Sequence, residues 1–277
     1  MNAIKNRISS SIVWIFVGAY TLTIIGPMLY LLLSSFKNSQ QLYSQPLAPP
    51  HPLMASNYTT AVHAGNLFSG IRNSFIVTTG VVLLSLAISL PAAYGIARIP
   101  SRLSRLLERG FAVGLLIPTF SILIPAFLLA AKSGFLGTQK FYIVFMPATA
   151  LSFSIVVLVQ FMRAIPMQLD EAATIDGASH WKIFTRIILP LSKAGLAVVA
   201  VFNFVTYWNE YLFSLVLIGV GKGRTVQVAL PILQGDRVTD YGLVAAGAVV
   251  ATLPILIVFI IFRRRMQGAM LSGAVKG

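Results

Sequence analysis

Of the chain's 277 residues, 57% are hydrophobic and 10% charged, at a mean hydropathy of +0.83. A water-soluble fold of this size carries about a quarter charged residues and could not hide so much apolar surface, so the chain is an integral membrane protein. The net charge of +14 then reads as Lys and Arg held on the cytoplasmic side rather than as a nucleic-acid surface, and the lack of cysteine excludes disulfides, thiolate zinc sites and cysteine nucleophiles.

Six apolar stretches, near 12–33, 74–97, 111–131, 141–162, 194–218 and 241–262, are long enough to cross a bilayer, which takes about 20 helical residues for roughly 30 Å. Open-edged strands would leave backbone groups unpaired in lipid, so all six are predicted as α-helices in an all-α membrane fold. The first span follows Lys5 and Arg7. Its apolar run is too long for a secretory leader and no small-x-small site follows, so it reads as a retained span. In the next segment, 34–70, QPLAPPHP (45–52) has four prolines and is predicted extended. NYTTAVHAGNLFSG (57–70) is predicted as a short surface helix.

Orientation follows from the basic residues. Fourteen lie at the N-terminus, after the second and fourth spans, and at the C-terminus. Seven lie on the other side: Lys37, Arg72, Lys132, Lys140, Lys222, Arg224 and Arg237. The excess places both termini in the cytoplasm. In the third span Pro118 and Pro125 are expected to bend the helix, either lining a cavity with freed backbone groups or forming tolerated kinks. Phe120 and Ser121 are minor cavity candidates there.

Between the fourth and fifth spans, a cytoplasmic segment of about 30 residues (163–193) is far longer than a connection needs. It holds Asp170, Glu171 and Asp176, three of the chain's seven acidic residues. Pro166 can start a helix whose positive end suits Asp170 and Glu171, and Gly177 interrupts it. A second helical stretch places Trp181, Phe184 and Ile188 on one face before Pro190. Asp170 and Asp176 are expected to be solvated helix-end residues.

Glu171-Ala172-Ala173, Gly177, Ile187, Leu189 and Pro190 stand at the spacing of the EAA loop, and by it the chain resembles the membrane subunits of ABC importers. NYTTA, RNSFIVT, YWNEYLFSLVL, TDYGLVAAGAVVATLP and GAVKG are similar to the maltose-type carbohydrate permeases with six helices. The resemblance implies a type I ABC importer permease fold in a prokaryotic plasma (inner) membrane, with the loop as a coupling helix seated on a partner ATPase. It implies further a second homologous permease, two ATP-binding cassette subunits and an extracytoplasmic solute-binding protein. No cofactor is expected on this chain, ATP and Mg being held by the ATPase subunits. Glu171 would meet a basic residue of the ATPase, and the alanines would let the helix approach closely.

The fifth span carries YWNEY, with Glu210 about 24 Å along the helix from Ala194. A carboxylate at that depth needs protein or water beside it. Tyr207 and Trp208 could face a sugar ring, while Asn209 and Glu210 could bond hydroxyls; Asn203 is a weaker pathway candidate. Equally, Glu210 could pair with a polar group on the partner permease and the aromatics could simply pack. In the sixth span Gly242 and Ala246, and Gly247 and Ala251, lie four apart, which fits close packing inside the subunit or a subunit interface. Arg263 to Arg265 read as an inner-surface anchor.

His51, His63 and His180 match no metal-ligand spacing, and GVGKGR around Lys222 lacks the remaining residues of a phosphate-binding loop. No catalytic arrangement stands out. The leading expectation is a permease for a sugar or oligosaccharide. Glycerol phosphate, another polyol or an amino sugar is the alternative, and an ion-coupled carrier using Glu210 is the reading from another class.

Overall fold

The computed structural model of the chain describes the backbone of residues 2–235 and 239–274 and the side chains of 13–235 and 239–263. Arg237 and the side chains of Lys5, Arg7, Arg264, Arg265 and the closing GAVKG lie outside the described residues. Every regular element among the described residues is helical. Four helices are long and apolar enough to span a membrane alone, and six spans result when each of two bent pairs counts as one. The chain divides into two units, Met1–Phe68 with Ala229–Leu253 and Ser69–Val228 with Pro254–Gly277.

The first unit starts with α1 (Asn2–Ser34), in whose spanning part, Val13–Ser34, only Ser34 is buried within the chain. At its end Asn57 donates to the carbonyls of Ser35 (3.0 Å) and Lys37 (2.8 Å). The buried Lys37 ammonium donates to the carbonyl of Pro46 at 2.8 Å. Asn38 caps α2 (Ser39–Ser44), and the Gln41 amide donates to the carbonyl of Pro49 at 3.0 Å, tying down the proline-rich stretch. The surface helix is α3 (Ser56–Ala64). It is shorter than expected because α4 (Leu67–Arg98) starts at Leu67, seven residues before the predicted span.

In the second unit α4 continues unbroken through Pro91. α5 (Arg102–Gly114), capped by Ser101, meets a 3-10 turn (Thr119–Ile122) and α6 (Leu123–Lys132) at a bend of 95°. The third span is therefore not the single helix expected over 111–131. Pro118 has ψ 120°, extended backbone; a proline also pushes the residue before it out of the helical region and supplies no N–H. Pro125 instead falls in the first turn of α6, where a missing N–H is harmless. α7 (Gln139–Phe145) and α8 (Pro147–Arg163) make one span.

The loop holds α9 (Gln168–Ile175), α10 (His180–Ile183), a π turn (Phe184–Ile188) and α11 (Leu189–Leu191). The segment His180–Leu191 turns by 74° into α12 (Lys193–Trp208). The predicted fifth span, 194–218, breaks at Asn209–Tyr211 before α13 (Leu212–Leu217). The core lies where Val77 and Val81 of α4, Ala126 and Ala130 of α6, Tyr142, Met146 and Ala150 of the α7–α8 span and Phe213 and Leu217 of α13 meet around Tyr207. Gly195 of α12 lies directly beneath the Phe161 ring, where a Cβ would collide.

The chain returns to the first unit through α14 (Val226–Ala229) and a 3-10 turn (Leu230–Gln234). α15 (Tyr241–Ala274) opens on Asp240, whose Oδ1 accepts from the backbone N–H groups of Gly242 (3.0 Å) and Leu243 (3.2 Å). A Cβ on Gly242 would run into the Lys37 carbonyl and the Asn57 amide, and one on Gly247 into Leu233 and Leu230. The small residues here serve packing inside the subunit. We expect Gly242→Ala, facing rigid backbone, to cost on the order of 1–3 kcal/mol, and Gly247→Ala, facing flexible leucine ends, to cost less. Thermal unfolding midpoints in detergent check the order.

Candidate functional site: an interhelical knob and a membrane cavity

The loop between α8 and α12 is built as a knob. α9 ends in a reciprocal pair of backbone bonds: the Gly177 N–H donates to the Thr174 carbonyl (3.0 Å) and the Ala178 N–H to the Ala173 carbonyl (2.9 Å). This closure needs a left-handed residue, and Gly177 has φ +76° with open space around a Cβ. Glycine is thus required here by conformation, not by crowding. Ser179 then caps α10 by accepting from the Lys182 N–H.

The expected docking residues separate by exposure. Glu171 and Ala172 face outward, Ala173 is half-buried, and Ile187 and Leu189 sit half-buried at the base with Pro190 at the start of α11. The tip is apolar: Ile175 is 87% and Trp181 68% exposed. Phe184 and Ile188 are buried as one face, while Trp181 stands at its outer edge with its ring 5.4 Å from Phe184.

Asp170 departs from expectation. It is buried rather than solvated, 3.6 Å from the guanidinium of Arg98, the last residue of α4. Arg98 Nη2 also donates to the Ile165 carbonyl at 3.0 Å. Nothing in the local spacing points to a pair 72 residues apart, and Arg98 reads in sequence as one more positive-inside charge. Asp176 is exposed at the end of α9. Nearby, Arg163 at the end of α8 forms a bidentate pair with Glu108 of α5 (2.5 and 2.7 Å).

The second feature is a cavity of about 590 Å³ lined by Phe120, Thr149, Tyr207, Asn209 and Glu210 among others. Because α12 ends at Trp208, Asn209 to Tyr211 leave the helix and line this space. Glu210 accepts from the backbone N–H groups of Phe213 (3.0 Å) and Ser214 (2.9 Å), capping α13 where the helix dipole favours negative charge. Phe120 is 66% exposed and stacks with Phe213 at 6.4 Å.

Two expected pathway residues lie elsewhere. Trp208 is fully buried against Phe204, 5.6 Å between ring centroids, and does not line the cavity. Asn203 is buried, donating to Ser154 (3.0 Å) and Ser85 (3.3 Å), and holds α12 to α8 and α4. Tyr207 reaches the cavity but is largely buried, its hydroxyl bonded to Thr149 at 2.6 Å. Ser121 donates to the Pro118 carbonyl at 2.7 Å within its own turn.

Removing the Glu210 cap leaves two backbone donors without their acceptor. We expect Glu210→Ala to lose about 1–3 kcal/mol of stability and Glu210→Gln, which keeps an acceptor oxygen, to lose less, read again as unfolding midpoints.

Residues 85–270 match the family model described as "Binding-protein-dependent transport system inner membrane component". The chain is 32% identical over 259 residues to the diacetylchitobiose uptake system permease protein NgcG of Streptomyces coelicolor, covering 93% of this chain and 86% of that one. It is also 32% identical to the trehalose/maltose transport system permease protein MalG of Thermococcus litoralis, covering 94% and 95%. In fold it is similar to a chain of a bacterial ABC transporter involved in the import of the acidic polysaccharide alginate, with a TM-score of 0.80, 21% identity and coverage of 94% and 97%. The bent spans and the knob are thus those of a type I importer permease, and the chain belongs to the family of binding-protein-dependent transport system inner membrane components, the permease subunits of ABC importers.

Proposed function

We propose that this permease carries a neutral sugar or oligosaccharide inward, together with a second related permease. Two ATP-binding cassette subunits sit on its cytoplasmic face and a solute-binding protein on the opposite one. Both termini are cytoplasmic, as the fourteen-to-seven distribution of basic residues supports. ATP and Mg belong to the ATPase subunits.

The observation that carries the coupling role is the knob itself. In water its tip would be a poor surface, with Ile175 and Trp181 bare, but it suits insertion into a partner's cleft. Glu171 and Ala172 lie on its outward side, so the carboxylate is placed to meet a basic residue, and the alanine side chains keep that approach close.

The solute class rests on two supports. NgcG and MalG are named for diacetylchitobiose and for trehalose and maltose. The cavity pairs aromatic faces with polar groups, and among the described residues its one charged lining residue is a carboxylate. A phosphorylated polyol would meet like charge there, so glycerol phosphate fits less well than an uncharged sugar or oligosaccharide. An ion-coupled carrier is not the reading for a member of this family.

The test is to purify the native chain with its partners and compare Glu171→Lys and Gly177→Asp. Loss of a charge-assisted contact costs about 1.5–3 kcal/mol, so Glu171→Lys should retain the ATPase subunits at least roughly tenfold more weakly. Gly177→Asp should act through backbone strain of about 1–2 kcal/mol. Diacetylchitobiose or trehalose presented on the binding protein should stimulate ATP hydrolysis, and glycerol phosphate should not. A native chain that purifies well folded without any ATPase would sink the proposal.

A further inference from the structure

The coupling reading leaves open how movement of the knob crosses the membrane. The knob's covalent links to the spanning helices are both bends: a non-helical stretch over 164–167 after α8, and the 74° turn at Ser192 before α12. Bends absorb movement. The knob is also held by a helix that is its neighbour in space only. Arg98 grips the first limb through Asp170 and the Ile165 carbonyl, and Tyr94, one turn earlier on α4, packs its ring 5.1 Å from Phe184 on the second limb.

The far end of α4 is gripped as well. The Asn73 amide donates to the carbonyls of Lys222 (2.9 Å) and Arg224 (3.0 Å), and Ser74 accepts from the Val226 N–H at 2.8 Å. Gln227, the next residue, donates to Asn209 of the cavity at 3.4 Å. Between Asn73 and Arg98 the helix is unbroken and spans about 37 Å.

The Arg98–Asp170 pair is buried, with side-chain exposures of 4% and 12%. Buried pairs are poor sources of stability, because desolvation offsets their attraction. What a planar guanidinium does well is fix geometry. We propose that α4 is a strut carrying knob movement to the cavity mouth, with Arg98 and Asp170 as positioning residues that clamp its inner end. The proposal rests on the importer reading above.

The experiment uses the complete complex in proteoliposomes, with ATPase retention, basal ATP hydrolysis and solute uptake per ATP measured for Asp170→Asn, the exchange pair Arg98→Asp with Asp170→Arg, and Asn73→Ala at the opposite end. Asp170→Asn and Asn73→Ala should keep their ATPase subunits and basal hydrolysis but lose about tenfold in uptake per ATP, within the usual range of coupling between sites. The exchange pair should recover most of it. Native uptake per ATP in both single variants overturns the strut. So does loss of the ATPase from Asp170→Asn with normal coupling in Asn73→Ala, which would reduce the pair to a brace of the knob. A native complex without ATPase defeats the importer reading itself, an outcome distinct from either.

Discussion

Inside a bilayer no water is available to a backbone N–H or C=O, so a spanning helix can break only where protein or a wet cavity satisfies the freed groups. The architecture of the second unit follows from that constraint. Its spans three and five both break, at Leu115–Pro118 and at Asn209–Tyr211, and residues next to or within each break, Thr119 and Phe120 on one side and Asn209 to Tyr211 on the other, line the same cavity. Breaks that would be costly facing lipid become the walls of a cavity.

Glu210 shows how such a break is maintained. A carboxylate in the membrane is expensive on its own, yet here it takes two backbone N–H groups of α13 that the break has left without intrahelical acceptors. The charge and the broken helix stabilise each other, and the same residue presents a polar surface to the cavity. Tyr207 and Thr149 close a second polar contact in that wall, and Asn203 with Ser154 and Ser85 forms another deeper in the bundle.

In the loop between α8 and α12 the problem reverses. The knob stands in water and carries its polar groups outward, except for Asp170, which turns inward to Arg98. Its apolar tip, with Ile175 and Trp181 exposed, is the exception. Closure of α9 at Gly177, burial of Phe184 and Ile188 and the Arg98–Asp170 pair hold that tip in one orientation.

The apolar segments and their order, the long loop between the fourth and fifth of them and the position of Gly177 were legible in the sequence, because apolar length and a left-handed glycine are local signals. The EAA spacing is local in the same sense, and it led to the family. Other features were decided by the tertiary structure. Pro118 and Pro125 look alike in sequence, yet one ends a helix and the other starts one. Trp208 and Asn209 are adjacent, yet the first is buried and the second lines the cavity, because α12 stops between them. Asp170 and Glu171 are neighbours of like charge, and only their direction on α9 sends one to Arg98 and the other to the surface. Composition and periodicity report what each segment needs from its solvent. Which side chain meets which partner depends on helices brought together from distant parts of the chain, and that pairing is set by packing alone.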